Sequence, residues 1–235
     1  MSERIVVINP NSSVDVTAGI DAAMASLRFA DGPVIDCLTL AEGPPGIETQ
    51  RHVDGVVGPL CELIEREDNG ADAFVVACFS DPGLHSAREA TARPVMGISE
   101  SSITTALTLG ERFGIIAILP AGVARHQRYI RQMGLEGRMA GDRPIGIGVT
   151  GLGDEDEVEG RMTSVGRRLI EEDGADVLIM GCAGMARYRG RLEDSLGVPV
   201  IDPSQAAVAQ AIAAVRLGYR NNKTNRNPTP NQHIN

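Results

Sequence analysis

The feature that most constrains this chain is an internal repeat. The stretch Gly70-Ala71-Asp72-Ala73-Phe74-Val75-Val76-Ala77-Cys78 is echoed by Gly174-Ala175-Asp176-Val177-Leu178-Ile179-Met180-Gly181-Cys182. Each is Gly-Ala-Asp, then an apolar run, then a small residue and a cysteine. A short, wholly apolar run reads as a parallel strand buried on both faces. Proline punctuation repeats as well: Pro10 and Pro120 end the opening strands, and Pro94 and Pro199 open the strand that follows each cysteine unit. The offsets are 104, 105 and 110 residues for the glycines, the later prolines and the earlier prolines, a period set by a duplicated unit rather than by local chance.

The repeat predicts an α/β fold of two half-domains related by a pseudo-two-fold. Each half carries a four-stranded parallel sheet flanked by helices. The first half takes residues 1–98 plus about 204–220, the second takes 99–203, and 221–235 is expected to be a disordered tail poor in apolar residues. In the first half, strands are expected at Arg4–Asn9 and Val34–Leu40, before one continuous helix from Arg51 to Asp68. In the second, a strand is expected at Pro144–Val149. A helix starting at Asp154 follows, with Val158, Met162, Val165 and Leu169 on one face.

Composition narrows the class. The 235 residues are 43% hydrophobic with no Trp, so the core must be aliphatic. A net charge of −9 without any basic stripe argues against nucleic acid as a partner. The first apolar run, Ile5 to Ile8, is too short for a signal core or a membrane span, so a cytoplasmic protein without membrane association is expected. The four cysteines are then reduced thiols. The four histidines (52, 85, 126 and 233) show no metal-ligand spacing and are read as surface or supporting residues; no metal and no cofactor are expected. Gly146-Ile147-Gly148-Val149-Thr150-Gly151 has the dinucleotide-loop spacing, but its first two glycines fall inside the expected strand rather than after it.

Ligands of open parallel sheets bind at the carboxyl ends of the strands, where Cys78 and Cys182 stand. Both precede loops that enter helices, whose free N–H groups favour a thiolate. Cys37 and Cys61 lack such partners and read as packing residues. Asn9 ends the first strand on the same rim, placed to hydrogen-bond a substrate amide while Ser12 or Ser13 caps the next helix. Asp81 and His85 follow Cys78 closely enough to tune it, and Asp81 also reads as a cap.

Ile8-Asn9-Pro10-Asn11-Ser12, Ala77-Cys78-Phe79-Ser80-Asp81-Pro82-Gly83-Leu84 and Gly181-Cys182-Ala183-Gly184-Met185 together resemble the aspartate/glutamate/hydantoin racemase superfamily. Pro199-Val200-Ile201-Asp202 and the Ile47-Glu48 pair are similar to its hydantoin and allantoin branch. The resemblance implies a cofactor-independent racemase with Cys78 and Cys182 as opposed catalytic thiols and the site between the halves. It also implies substrate contacts from Asn9, Ile47 and the loops Phe79-Ser80 and Ala183-Gly184. Members acting on free amino acids carry Cys-Asn-Thr and Cys-Thr, whereas this chain has Cys78-Phe79-Ser80 and Cys182-Ala183-Gly184. That departure favours a hydantoin-like ring over aspartate or glutamate. Where the branch has Thr-Thr-Leu-Pro-Arg, this chain has Ala117-Ile118-Leu119-Pro120-Ala121, and Thr49-Gln50-Arg51-His52 also departs. The expectation is a homo-oligomeric racemase of a small molecule. The alternatives are an isomerase or decarboxylase of a small diacid, an amino-acid racemase, and a two-lobed binding module without chemistry.

Overall fold

The computed structural model describes residues 3–222. It contains two parallel four-stranded sheets. The first is ordered β2-β1-β3-β4, from β1 (Arg4–Asn9), β2 (Val34–Thr39), β3 (Ala73–Val76) and β4 (Val95–Gly97). The second is ordered β6-β5-β7-β8, from β5 (Phe113–Ala117), β6 (Met139–Pro144), β7 (Val177–Met180) and β8 (Val200–Ile201). The strand order is the same in both, so the sequence repeat is a repeat of topology.

The central strands explain the unbroken apolar runs. In β1, Val6 and Ile8 point to one side of the sheet and Ile5 and Val7 to the other, and both sides are covered. In β7, Leu178 and Met180 face α7 (Glu155–Glu171) and α8 (Arg189–Leu196), while Val177 and Ile179 face α5 (Ile98–Leu109). Full burial of each such side chain contributes on the order of 1.5–3 kcal/mol. Helix α5 leaves β4 and packs on β5 and β7 of the second sheet, whereas α9 (Pro203–Arg216) packs on β1, β3 and β4 of the first. These two helices also pack on each other, and Gln210 of α9 donates to the Ser101 carbonyl of α5 at 3.1 Å.

Two expected elements are corrected. The segment 51–68 is not one helix but α2 (Gln50–Gly55) and α3 (Val57–Glu67). Pro59 has no N–H for the Gly55 carbonyl and would clash with it in a continuous helix, so the chain breaks at Val56. The strand expected at Pro144–Val149 lies instead at Met139–Pro144. This is an edge strand, half-buried along its length, so polar residues suffice there. Ile145 and Val149 are buried in the loop beyond it. The glycine run 146–151 therefore does follow a strand, but it enters a short 3₁₀ turn at Val149–Gly151, and α7 starts only after its cap at Asp154. At the C-terminus, Asn221 is docked, donating through Nδ2 to the Arg93 carbonyl at 2.6 Å. The rest of the expected tail, from residue 223, lies outside the described residues.

Candidate active site

Each cysteine lies two residues beyond its strand, in a turn built the same way in both halves. The Ala77 N–H donates to the Ile8 carbonyl at 2.8 Å, and the Gly181 N–H donates to that of Ile116 at 2.9 Å, extending each ladder by one step. The Cys78 carbonyl then accepts from Asp81 N–H at 2.9 Å, and the Cys182 carbonyl accepts from Met185 N–H at 3.2 Å. Gly181 has no freedom to be larger: a Cβ there would stand 2.8 Å from the Ile116 carbonyl oxygen.

The two turns open on one cavity between the halves. Cys78, Phe79 and Ser80 line it from the first half, and Cys182, Ala183 and Gly184 from the second. Ile47 also lines it, as does Ile118 in the segment that departs from the hydantoin branch. Cys37 and Cys61 do not, and His85 is exposed on α4 (Leu84–Ala90). The free volume is small, ≈ 40 Å³, room for about three waters. The halves are bridged beside it, where Glu48 Oε1 accepts from Val149 N–H at 2.9 Å.

Asn9 is not part of the cavity wall. Its Nδ2 donates to Asn11 Oδ1, the Ser13 carbonyl and Thr17 Oγ1 at 2.9–3.1 Å, which consumes both of its hydrogens. The wall residue is Asn11, whose Oδ1 is held by Asn9 and by the Ser13 N–H, and whose Nδ2 makes no hydrogen bond among the described residues. Ser13 caps α1 (Val14–Ala23), accepting from Val16 N–H.

Burial dominates the electrostatics of both thiols. It pushes Cys78 up to about 12 and Cys182 up to about 11, against weaker downward pulls from the Ser80 and Gly184 N–H groups. The thiolate-favouring loops expected from sequence are thus outweighed by desolvation. A negative charge on Cys182 raises Cys78 further, so the resting pair is thiol and thiol and ionises one at a time. A buried carboxylate stands behind each. Asp81 accepts from the Ser99 and Glu100 N–H groups at 2.9 and 2.8 Å, capping α5 rather than its own helix. Asp202 accepts from Gln205 N–H at 2.8 Å and caps α9. Burial pushes Asp81 up to about 7 and Asp202 up to about 6. Gly97 makes the first cap possible, since a Cβ there would meet the Asp81 carboxylate at 2.4 Å.

Sequence reasoning missed one cluster. Gly122, Arg125 and His126, at i, i+3 and i+4 of α6 (Pro120–Gln132), all line the cavity. Their helical spacing just beyond a strand end was a usable signal. His126 is buried, with Nδ1 2.8 Å from Asp142 Oδ2 on β6, and its ring meets Phe79 edge-on at 5.0 Å. No group of three or more His, Cys, Asp and Glu side chains suited to a metal ion occurs among the described residues. None of their helices is long and apolar enough to cross a membrane.

Two thiols at equivalent positions of a duplicated α/β unit thus line one cavity. The chain belongs to the Asp/Glu/hydantoin racemase family, whose model matches residues 5–211. It is 37% identical to the hydantoin racemase of Paenarthrobacter aurescens, over 98% of this chain and 100% of that one. It is 38% identical to the hydantoin racemase of Pseudomonas sp. (strain NS671), over 94% and 89%. Among solved structures, allantoin racemase from Klebsiella pneumoniae matches with a TM-score of 0.92 and 32% identity, covering 100% of this chain and 97% of that one.

Proposed function

We propose that this protein is a cofactor-independent racemase of hydantoin-like rings, acting through Cys78 and Cys182. The observation that carries the reading is the pairing of the two thiols on one cavity at matching points of the repeat. One cysteine, as thiolate, takes the proton from C5 of the ring. The C–H electron pair moves onto the neighbouring carbonyl oxygen as an enolate. The other cysteine, as thiol, then delivers a proton to the opposite face and becomes the thiolate. The roles exchange for the other enantiomer.

The Phe79 and Ala183 N–H groups make no hydrogen bond to another described residue and are the donors for the enolate oxygen. The Ser80 and Gly184 N–H groups serve the sulfurs. Asn11 offers its amide to the ring, and Asn9 acts by holding Asn11. Ile47 and Ile118 supply apolar wall. The ring enters beside the Glu48–Val149 bridge, with that contact parting and the halves, divided near residues 98 and 203, moving apart. The enzyme is taken to be cytoplasmic and homo-oligomeric.

The test is exchange of the C5 proton in D₂O, with polarimetry, over 5-substituted hydantoins, allantoin, aspartate and glutamate. Exchange with inversion of the hydantoins supports the reading. Inversion of the free amino acids alone, or no exchange at all, overturns it.

A further inference from the structure

We propose that the chamber beside the reaction cavity is a subsite for a carboxylate, gripped by Arg125, so that the preferred ring bears an acidic C5 side chain. This rests on the racemase reading and names its substrate class. The chamber has a volume of ≈ 300 Å³ and shares Phe79, Ser80, Arg125 and His126 with the reaction cavity. These four residues are a wall common to both, so the two spaces adjoin.

Arg125 is the unusual residue of the wall. It is half-buried, yet it makes no ion pair among the described residues, whereas Arg88 and Arg143 hold carboxylates at 2.6 Å. Burial lowers its pKa, the sign of a cation short of a counter-charge. Its Nη1 donates to the Ala121 carbonyl at 2.9 Å; its Nε is buried without a partner, and its Nη2 makes no hydrogen bond to a described residue. With Nε sealed from solvent, Nη2–H is the unengaged donor left to meet a carboxylate oxygen with a charge-assisted hydrogen bond.

The surroundings favour an anion. The chamber is lined by Arg125, Arg128, Gln50 and Gln132, with Val53 and Phe79 as apolar floor, and by no Asp or Glu. The carboxylate behind it, Glu100, is engaged by Arg88 and by the Tyr129 hydroxyl. Asp142 is held by His126. In a chain of net charge −9, this is a local reversal of sign. A neutral ureido or alkyl group would leave this half-buried charge without an anion, which an acidic side chain supplies.

The experiment compares hydantoin-5-acetic acid with its primary amide, two near-isosteres that differ in charge, by C5-proton exchange in D₂O at pH 8. In the wild type, kcat/KM for the acid is expected to exceed that for the amide by roughly 10-fold or more, as one charge-assisted pair supplies. Arg125→Gln is expected to collapse that ratio to near one, chiefly through KM of the acid, whatever its absolute rate. Equal rates for acid and amide in the wild type overturn the subsite while leaving the racemase intact, and need no folded variant. An unchanged ratio in Arg125→Gln, with both substrates slowed alike, assigns Arg125 to the Cys78 thiolate and overturns it too. Failure of the wild type to exchange any hydantoin overturns the racemase reading and this inference with it.

Discussion

Replacing each thiol by a hydroxyl, one at a time, separates the two-base reading from its competitors. Serine keeps the size and the turn but ionises far above the working pH, so Cys78→Ser and Cys182→Ser each lose one base. A positioned general base supplies typically 100- to 10,000-fold, and racemisation needs both groups, so each variant should lose at least that factor. The surviving thiol can still lift the proton of one enantiomer and return a deuteron to the same face. Cys78→Ser should therefore wash deuterium into one hand, and Cys182→Ser into the other. Because burial pushes the thiols up to about 12 and about 11, the thiolate is the minor form at neutral pH. Its fraction, and kcat/KM for exchange, should rise about tenfold per pH unit from 7 to 10. The assay is ¹H NMR of the C5 proton of each pure enantiomer in D₂O, with uncatalysed exchange subtracted at every pH. Loss of the same enantiomer's exchange in both variants would refute the opposed-thiol geometry. A plateau above pH 8 would refute the argument from burial.

Four further outcomes are expected. Tyr188→Phe removes the hydroxyl that donates to the Leu152 carbonyl at 2.8 Å and should cost about 1–3 kcal/mol, read as a lower urea midpoint with unchanged slope. Cys61→Ala should keep kcat/KM within about twofold, because Cys61 is half-buried on α3 and not part of the cavity wall; a folded but inactive variant would sink the choice of pair. The thiols hold their protons more tightly folded than unfolded, so the stability they contribute is whole below about pH 9 and declines as pH climbs toward 11–12. Urea melts at pH 8 and 10.5 should show that decline, reduced in the double serine variant. Overnight dialysis against a chelator should leave the exchange rate unchanged, and recovery of lost activity on adding zinc would contradict the mechanism.

What could be read from the sequence follows what burial writes into it. β1, β3, β5 and β7 are covered on both faces, so each is an apolar run that needs no context. The edge strand β6 carries Gly141, Asp142 and Arg143, and nothing local marks it. Missing β6 also hid Asp142, and with it the fixed partner of His126. Asn9 is the residue the sequence places at the strand end, yet the side chain on the cavity belongs to Asn11, because Asn9 turns inward to tie the loop to Thr17. The cap of α5 illustrates the limit best. In the second half the helix after the last strand is capped by its own Asp202, but in the first half the equivalent cap position is Gly97, and the carboxylate comes from Asp81 next to the catalytic turn. No spacing rule links residues 81 and 99; only the fold does.

The borrowed cap bears on how the two thiols are balanced. Besides burial, carboxylates push each thiol upward, Asp81 for Cys78, and Glu48 and then Asp202 for Cys182, so the duplicated halves reach the same electrostatic end by different residues. Only Cys78 has a cation opposing this effect, since Arg125 lowers its pKa. That asymmetry cannot make the enzyme favour one hand overall. Enantiomers have equal free energy in water, so kcat/KM must be the same in both directions whatever the protein does. What Arg125 can change is the division of that ratio. With Cys78 at about 12 and Cys182 at about 11, the minor thiolate form of the free enzyme resides mainly on Cys182, and the pull of Arg125 narrows that gap and raises the share ready for the enantiomer whose proton faces Cys78. The two enantiomers should then differ in kcat and KM by a common factor that cancels, and Arg125→Gln, by lifting Cys78 further above Cys182, should enlarge that factor without moving the racemic end point.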